Sequence, residues 1–111
     1  MYMDRYQEEA RKTAQYPGRG KIEGLIYTTL GLAGESGELA NKVKKVLRDN
    51  GGIITDEVRL AIIKELEDNL WYVAMTADEL GVTMSELAQW NLMNLMGRRD
   101  RGTIKGSGDD R

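Results

Sequence analysis

Four acidic side chains form two pairs with the same spacing, and each pair falls in a segment with helical periodicity. The pairs are Glu35 with Glu38, and Glu65 with Asp68. Because residues three apart lie on one face of a helix, two packed helices would bring the four carboxylates together. Four anions in one place need a cation to neutralise them. Oxygen ligands suit a hard ion, so the spacing predicts an Mg²⁺ site, with Mn²⁺ as a substitute, that serves a phosphate substrate.

Two lysines accompany the first acidic pair. At about 100° per residue, Lys42 and Lys45 lie on the same side of their helix as that pair. A single acidic pair more often belongs to a solvated face, where Glu38 and Lys42 would form an i, i+4 ion pair. Two observations favour the metal site instead: the spacing occurs twice, and the second pair lies beside Leu66 and Trp71 in the most apolar segment. Charges beside an apolar stripe are costly unless they are paired or bound to a metal.

The elements that carry these residues are predicted to be helices, with no strand. Turns rich in Gly, Pro and Asn separate the periodic segments, and a Thr precedes each of the last two as a helix cap. The first helix has few apolar residues and is expected to be a peripheral surface helix. The predicted helices run from Met3 to about Gln15, from Ile22 to Arg48, from Thr55 to Leu80 and from Thr83 to about Met96.

Small residues mark one side of the second predicted helix. Gly31, Gly34 and Gly37 recur every three positions, although each costs helix stability relative to Ala. They leave a groove that permits close approach of another helix or of a ligand. The aromatic residues Trp71 and Trp90 are expected to pack in the core, although either ring offers a face on which a base stacks.

Composition excludes several functions. The 111 residues carry a net charge of −2, so no basic surface argues for a nucleic-acid partner. Cys and His are both absent, which excludes a thiol nucleophile, a Ser-His-Asp triad and the usual transition-metal ligands. No apolar run reaches about 18 residues, so we expect no membrane partner and a cytoplasmic location. A chain this short buries a modest core, and we expect a homodimer or a homotetramer.

Two segments resemble a known family. They resemble the E-x-x-E, spacer, E-x-x-D pattern of the MazG-type all-α nucleoside triphosphate pyrophosphohydrolases. The end of the chain is similar to the C-terminal signature of short, phage-type members that have a single domain. The matching segments are Gly31 to Glu38 and Lys64 to Tyr72, followed by Asn91-Leu92, Arg98, Arg101-Gly102 and Gly106 to Asp109.

The resemblance implies an antiparallel helical bundle that cleaves an NTP or dNTP to the monophosphate and pyrophosphate, in the control of nucleotide pools. By family position, the four paired carboxylates are the metal ligands. Glu35 and Glu38 are also the candidate catalytic residues, and the proton of the attacking water would go to one of the four ligands or to a carboxylate outside the ligand set. Lys42 and Lys45 would meet phosphate oxygens as point charges, and Asn91 would bond the sugar or a phosphate.

The chain departs from the family pattern at a few positions. Gly34 stands where many members carry a glutamate directly before the first motif, so proton abstraction falls to another group. Asn94 stands where many relatives carry lysine, which removes one expected phosphate contact. Glu67 and Asn69 stand in a segment that relatives often carry as Glu-Leu-Gly-Asp-Val, and both are interpreted as outward-facing.

The domain prediction is a single helical domain over residues 1–97 and a basic, glycine-rich tail over residues 98–111. The tail carries five cations among glycines that let it bend. We therefore expect it to order over bound nucleotide, with Arg98 and Arg101 as the substrate contacts nearest to a helix.

An alternative function is a non-catalytic helical module that forms oligomers or binds a partner protein. Such a module would keep the apolar positions and have no use for aligned carboxylates. A di-iron carboxylate bundle is excluded, because it needs histidine in E-x-x-H motifs.

Overall fold

Four helices and no strand make up the chain in the computed structural model, which describes residues 1–111. The helices are α1 (Met3–Arg11), α2 (Ile22–Asn50), α3 (Asp56–Glu79) and α4 (Met84–Asp100). The predicted all-α fold class is confirmed. None of the four helices is both long and apolar enough to cross a membrane.

Helices α2 and α3 form an antiparallel hairpin, which is the largest helix–helix contact in the chain. Gly51 ends α2 in the left-handed conformation, with φ of 59°, where a side chain would be strained. The Thr55 hydroxyl then accepts a hydrogen bond from the Val58 N–H and caps α3. Thr83 caps α4 in the same way, through the N–H of Glu86. Both caps are where the sequence predicts them.

Helix α1 is shorter than predicted, and it is not peripheral. It ends at Arg11 because the Thr13 hydroxyl bonds to the carbonyl of Ala10 at 2.7 Å and tightens the last turn. On its inner face Gln7 is only 2% exposed. Its amide nitrogen donates to the Val82 carbonyl at 3.0 Å, and its amide oxygen accepts from the Met84 N–H at 3.0 Å. The buried amide therefore fastens α1 to the junction of α3 and α4.

The core is small and lies at one end of the hairpin. It forms where α1 and the segment that follows it meet the second half of α3 and the start of α4. Trp71 packs against it. Its members are Ala10, Tyr16, Ala74, Met75, Ala77 and Met84.

Helix α4 leaves this core and continues to Asp100, one turn beyond the predicted end at about Met96. Trp90 is 49% exposed, so the expectation that it packs in the core is wrong for a single chain. The physical reason is that α4 contacts only α1 and α3 near its start, and no other element covers its apolar residues. The large apolar residues exposed on α4 are Leu87, Trp90, Leu92, Met93, Leu95 and Met96.

Candidate metal centre

Three of the four predicted carboxylates come together across the hairpin. Glu35 on α2, and Glu65 and Asp68 on α3, each place one oxygen so that all three lie within 4.8 Å of one another. We call these three residues the acidic cluster. Glu65 is buried, Glu35 is half-buried and Asp68 is exposed. The cluster therefore has a buried floor and one side open to solvent.

Glu38 is not part of this group. It lies one turn further along α2, and its side chain is exposed. Its charge is still felt at the cluster, where it contributes to a raised pKa of Glu35. The assignment of Glu38 as a ligand stays a prediction.

The carboxylates of the cluster are in unequal electrostatic environments. Desolvation is the largest cause of the raised pKa of Glu35, followed by the proximity of the Glu65 carboxylate and by the other neighbouring negative charges. The pKa of Glu65 is lowered, chiefly because the Lys42 ammonium donates to its carboxylate, and this outweighs the effect of burial. Desolvation and neighbouring charge thus raise the pKa of Glu35, while the lysine lowers that of Glu65.

One oxygen of the cluster lacks a partner. Glu65 is 8% exposed, and its Oε2 atom is buried without a hydrogen bond, while its Oε1 atom accepts from Lys42 Nζ at 2.6 Å. A buried carboxylate oxygen without a donor is costly, because water no longer solvates it. The unpaired oxygen and the all-oxygen donor set fit a hard divalent cation.

The second predicted lysine is placed differently. Lys45 is exposed, and its charge adds to that of Arg48, which is the main cause of the lowered pKa of Asp49. Of the two lysines, only Lys42 contacts the acidic cluster in the single chain. Their predicted roles as phosphate contacts stay predictions.

A polar link joins the two helices beside the cluster. The Ser36 hydroxyl donates to Asn69 Oδ1 at 2.8 Å, and the Asn69 amide donates to the Glu65 carbonyl at 2.7 Å. Asn69 is half-buried between the helices, so its interpretation as outward-facing is wrong. The Asn69 amide makes hydrogen bonds to both helices. The sequence pattern of one helix does not show which residue of the neighbouring helix Asn69 faces. Glu67, by contrast, is exposed as expected.

An open cleft of about 380 Å³ adjoins the cluster. Its walls are Thr13, Trp71 and Tyr72, together with two carboxylates of the cluster. The rings of Trp71 and Tyr72 meet edge to face, with centroids 5.0 Å apart. The Trp71 indole N–H donates to the Thr13 hydroxyl at 2.9 Å, which fixes the ring. The sequence does not identify Thr13 as a site residue, because it lies after α1 and belongs to no periodic pattern or motif.

The remaining predicted substrate contacts lie away from the cleft. Asn91 is exposed on α4 and makes no hydrogen bond through its side chain. Arg98 donates to the carbonyl of Asp109 at 2.8 Å, and Arg101 donates to the carbonyl of Arg111 at 3.1 Å. The tail thus folds back on the end of α4. In the single chain, the structure does not bring these three residues to the acidic cluster.

Comparisons with known proteins agree with this architecture. The profile of the MazG nucleotide pyrophosphohydrolase domain family matches residues 25–102, a range that contains the whole acidic cluster. The chain is also 54% identical to the Gene 37 protein of Mycobacterium phage L5, in an alignment that covers all of both chains. No solved structure matches the chain. The protein belongs to the MazG nucleotide pyrophosphohydrolase domain family.

Proposed function

We propose that the protein is a Mg²⁺-dependent nucleoside triphosphate pyrophosphohydrolase that contributes to the control of nucleotide pools. It would release the nucleoside monophosphate and pyrophosphate from an NTP or dNTP, and Mn²⁺ would substitute for Mg²⁺. The observation that carries the proposal is the buried, unpaired oxygen of Glu65 within a cluster of three carboxylates. Membership of the family supports the same reaction.

The carboxylates of both helices are proposed to hold the ion. Glu35, Glu65 and Asp68 already face one point, and Glu38 is the proposed fourth ligand. A bound Mg²⁺ would polarise the phosphate and lower the pKa of the attacking water. Either Glu35 or Glu38 is proposed to accept the proton of that water. Histidine is not required.

The nucleoside is proposed to lie in the cleft beside the cluster. Trp71 and Tyr72 supply aromatic surface there, and a volume of about 380 Å³ is of the size that small-molecule sites have. Lys42 and Lys45 are proposed to meet the phosphate oxygens. Contacts from Asn91 and from the two tail arginines would require opening of the tail loop or approach of α4 from another copy.

A homodimer or homotetramer is proposed because the single chain exposes too much surface. A folded monomer of 12.5 kDa has about 6,200 Å² of accessible surface, whereas this chain has 8081 Å². The excess of about 1,900 Å² per chain is what an obligate homodimer buries. An apolar groove of about 290 Å³ contributes to it; its lining includes Leu32, Val73, Leu80, Leu87 and Trp90.

Product analysis tests the reaction. The full chain would be incubated with Mg²⁺ and each common NTP and dNTP in turn, and the products would be separated by ion-exchange chromatography. Monophosphate with pyrophosphate is the expected result. Diphosphate with orthophosphate would contradict the proposed bond cleavage.

Charge-matched variants test the metal site. Asp68→Asn is expected to lower turnover by at least about 100-fold, because it removes a ligand. Glu67→Gln is the control, since it removes the same charge from an exposed neighbour outside the cluster. Mg²⁺ at about 100 times its Kd should stabilise the wild type and the control by about 2.7 kcal/mol, and Asp68→Asn much less. If Mg²⁺ and Mn²⁺ stabilise none of the proteins and no nucleotide is cleaved, the non-catalytic helical module is the better account.

A further inference from the structure

Lys42 reaches across the hairpin from α2 to the carboxylate of Glu65 on α3. Its Nζ atom lies 2.6 Å from Glu65 Oε1. The Glu65 side chain is 11% exposed and the Lys42 side chain 38%, so the ion pair is partly shielded from water. No other lysine or arginine forms an ion pair with a carboxylate of the acidic cluster. Lys42 is therefore the one side-chain cation that contacts the cluster directly.

The position of this ammonium is significant because of the oxygen that it uses. A divalent ion held by the cluster would use at least one oxygen of Glu65, and Oε2 is the one that lacks a partner. The Lys42 ammonium, 2.6 Å from Oε1, holds the other oxygen of the same carboxylate and would place a positive charge beside the ion. The Lys42 ammonium and a divalent ion on the same carboxylate would repel each other strongly where the dielectric constant is low. The ion pair and a bound metal therefore compete for one carboxylate.

We propose that Lys42 is a built-in counter-cation of the acidic cluster, which a divalent metal must displace from Glu65 before catalysis. The inference rests on the proposed function, because it assumes that the cluster binds a metal. Once displaced, the ammonium is free at the edge of the cluster, where a polyphosphate bound to the metal would present oxygens to it. A single lysine would in this way hold the metal-free site together and then contact the substrate.

The competition predicts an unusual direction of change. Lys42→Met keeps the aliphatic part of the side chain and removes the ammonium, so metal should bind more tightly to this variant. The expected gain in affinity is about fivefold, which is the upper end of what a partly exposed ion pair contributes. Lys44→Met is the matched control, since it removes the same charge from an exposed position on the same helix. If Lys42 had only a structural role, its replacement by Met would lower the thermal stability without tightening metal binding.

Calorimetric titration of the full chain with Mn²⁺, in the absence of nucleotide, measures the effect directly. The Kd of Lys42→Met should fall about fivefold relative to the wild type, while that of Lys44→Met should change less than twofold. An unchanged or a higher Kd for Lys42→Met would overturn the proposal. A wild-type chain that binds Mn²⁺ but cleaves no nucleotide would contradict the proposed function and leave the competition standing, whereas a chain that binds neither Mn²⁺ nor Mg²⁺ would overturn both.

A second measurement uses the wild type and does not depend on the folding of a variant. Lysine acetylation by a small reagent would be followed by mass spectrometry, with and without Mg²⁺. Release of the ammonium from Glu65 should make Lys42 react several-fold faster when Mg²⁺ is present, whereas Lys44 should react at one rate throughout. Equal reactivity of Lys42 in both conditions would show that metal does not displace it.

Discussion

The close approach of the Tyr72 ring to Gly31 predicts that alanine destabilises the fold at this position, although alanine in place of glycine usually stabilises a helix. Gly31 lies in α2, and the Tyr72 ring of α3 lies directly over it. A Cβ atom built at Gly31 would lie 2.6 Å from Tyr72 Cδ1 and closer still to Cε1 and Cζ. Nothing lies within 4 Å of a Cβ atom at Gly34, one turn further along the same helix. The two glycines share a helix and differ in what faces them.

The magnitudes follow from opposing effects. In either position, replacing Gly by Ala within a helix favours folding by about 1 kcal/mol. Gly34→Ala should gain that amount. Gly31→Ala must also move the Tyr72 ring, at a cost of about 1–3 kcal/mol for overpacking, and it disturbs the contact with Trp71, which is worth about 0.5–1.5 kcal/mol. We therefore expect a net destabilisation of about 0.5–3.5 kcal/mol for Gly31→Ala.

Thermal unfolding of the two variants measures the difference. At about 4 °C per kcal/mol for a domain of this size, Gly34→Ala should melt at least about 6 °C above Gly31→Ala. The double variant Gly31→Ala with Tyr72→Ala should lose the clash, so the two substitutions should not be additive. Equal stabilisation by both alanines would refute the claim that Gly31 makes room for Tyr72.

Three further predictions concern the core and the tail. Burial, followed by the hydrogen bond to Glu79, raises the pKa of Tyr16 to about 12. Its contribution to stability is therefore complete below pH 10 and is lost between pH 10 and 12, because the unfolded chain loses the proton first. In denaturant unfolding, the difference in stability between the wild type and Tyr16→Phe should shrink by up to about 2.7 kcal/mol over that pH range. Gln7→Leu should cost about 3 kcal/mol in the same assay, because it leaves the Met84 N–H buried without an acceptor. Truncation after Gly97 should raise KM for the nucleotide without changing the oligomeric state, and an unaltered KM would limit the tail to its contacts with α4.

The sequence predicts the starts of α3 and α4 and the turn after α2 well, because these helix ends are determined locally. A threonine hydroxyl that reaches the N–H three residues ahead, or a glycine that accepts a positive φ, needs no information from the rest of the fold. The carboxylates of the cluster were identifiable for a similar reason. Their spacing repeats on two helices, and antiparallel packing of neighbouring helices brings such faces together.

The features that the sequence does not predict depend on how the helices align. Asn69 looks like an outward polar residue until α2 is placed beside it, and Ser36 then supplies its partner. Gln7 looks solvated until the junction of α3 and α4 surrounds its amide with two carbonyls and an N–H. The prediction for Trp90 is wrong in the opposite direction. Its helical periodicity indicates burial, but no element of the single chain covers it. Helical periodicity identifies a face but not the residue that meets it.

The same alignment explains why metal and fold should be coupled in this protein. Between Thr28 and Val46, no residue of α2 is fully buried, and Gly31 makes a close contact there with the Tyr72 ring. Polar contacts join the helices in the same stretch, namely the Ser36–Asn69 hydrogen bond and the Lys42–Glu65 ion pair. A metal bound by carboxylates of both helices would add a cross-link at the position of this ion pair. This stretch of α2 is thus the part that the metal would link to α3, which gives the binding energy of the ion a direct path into the stability of the fold.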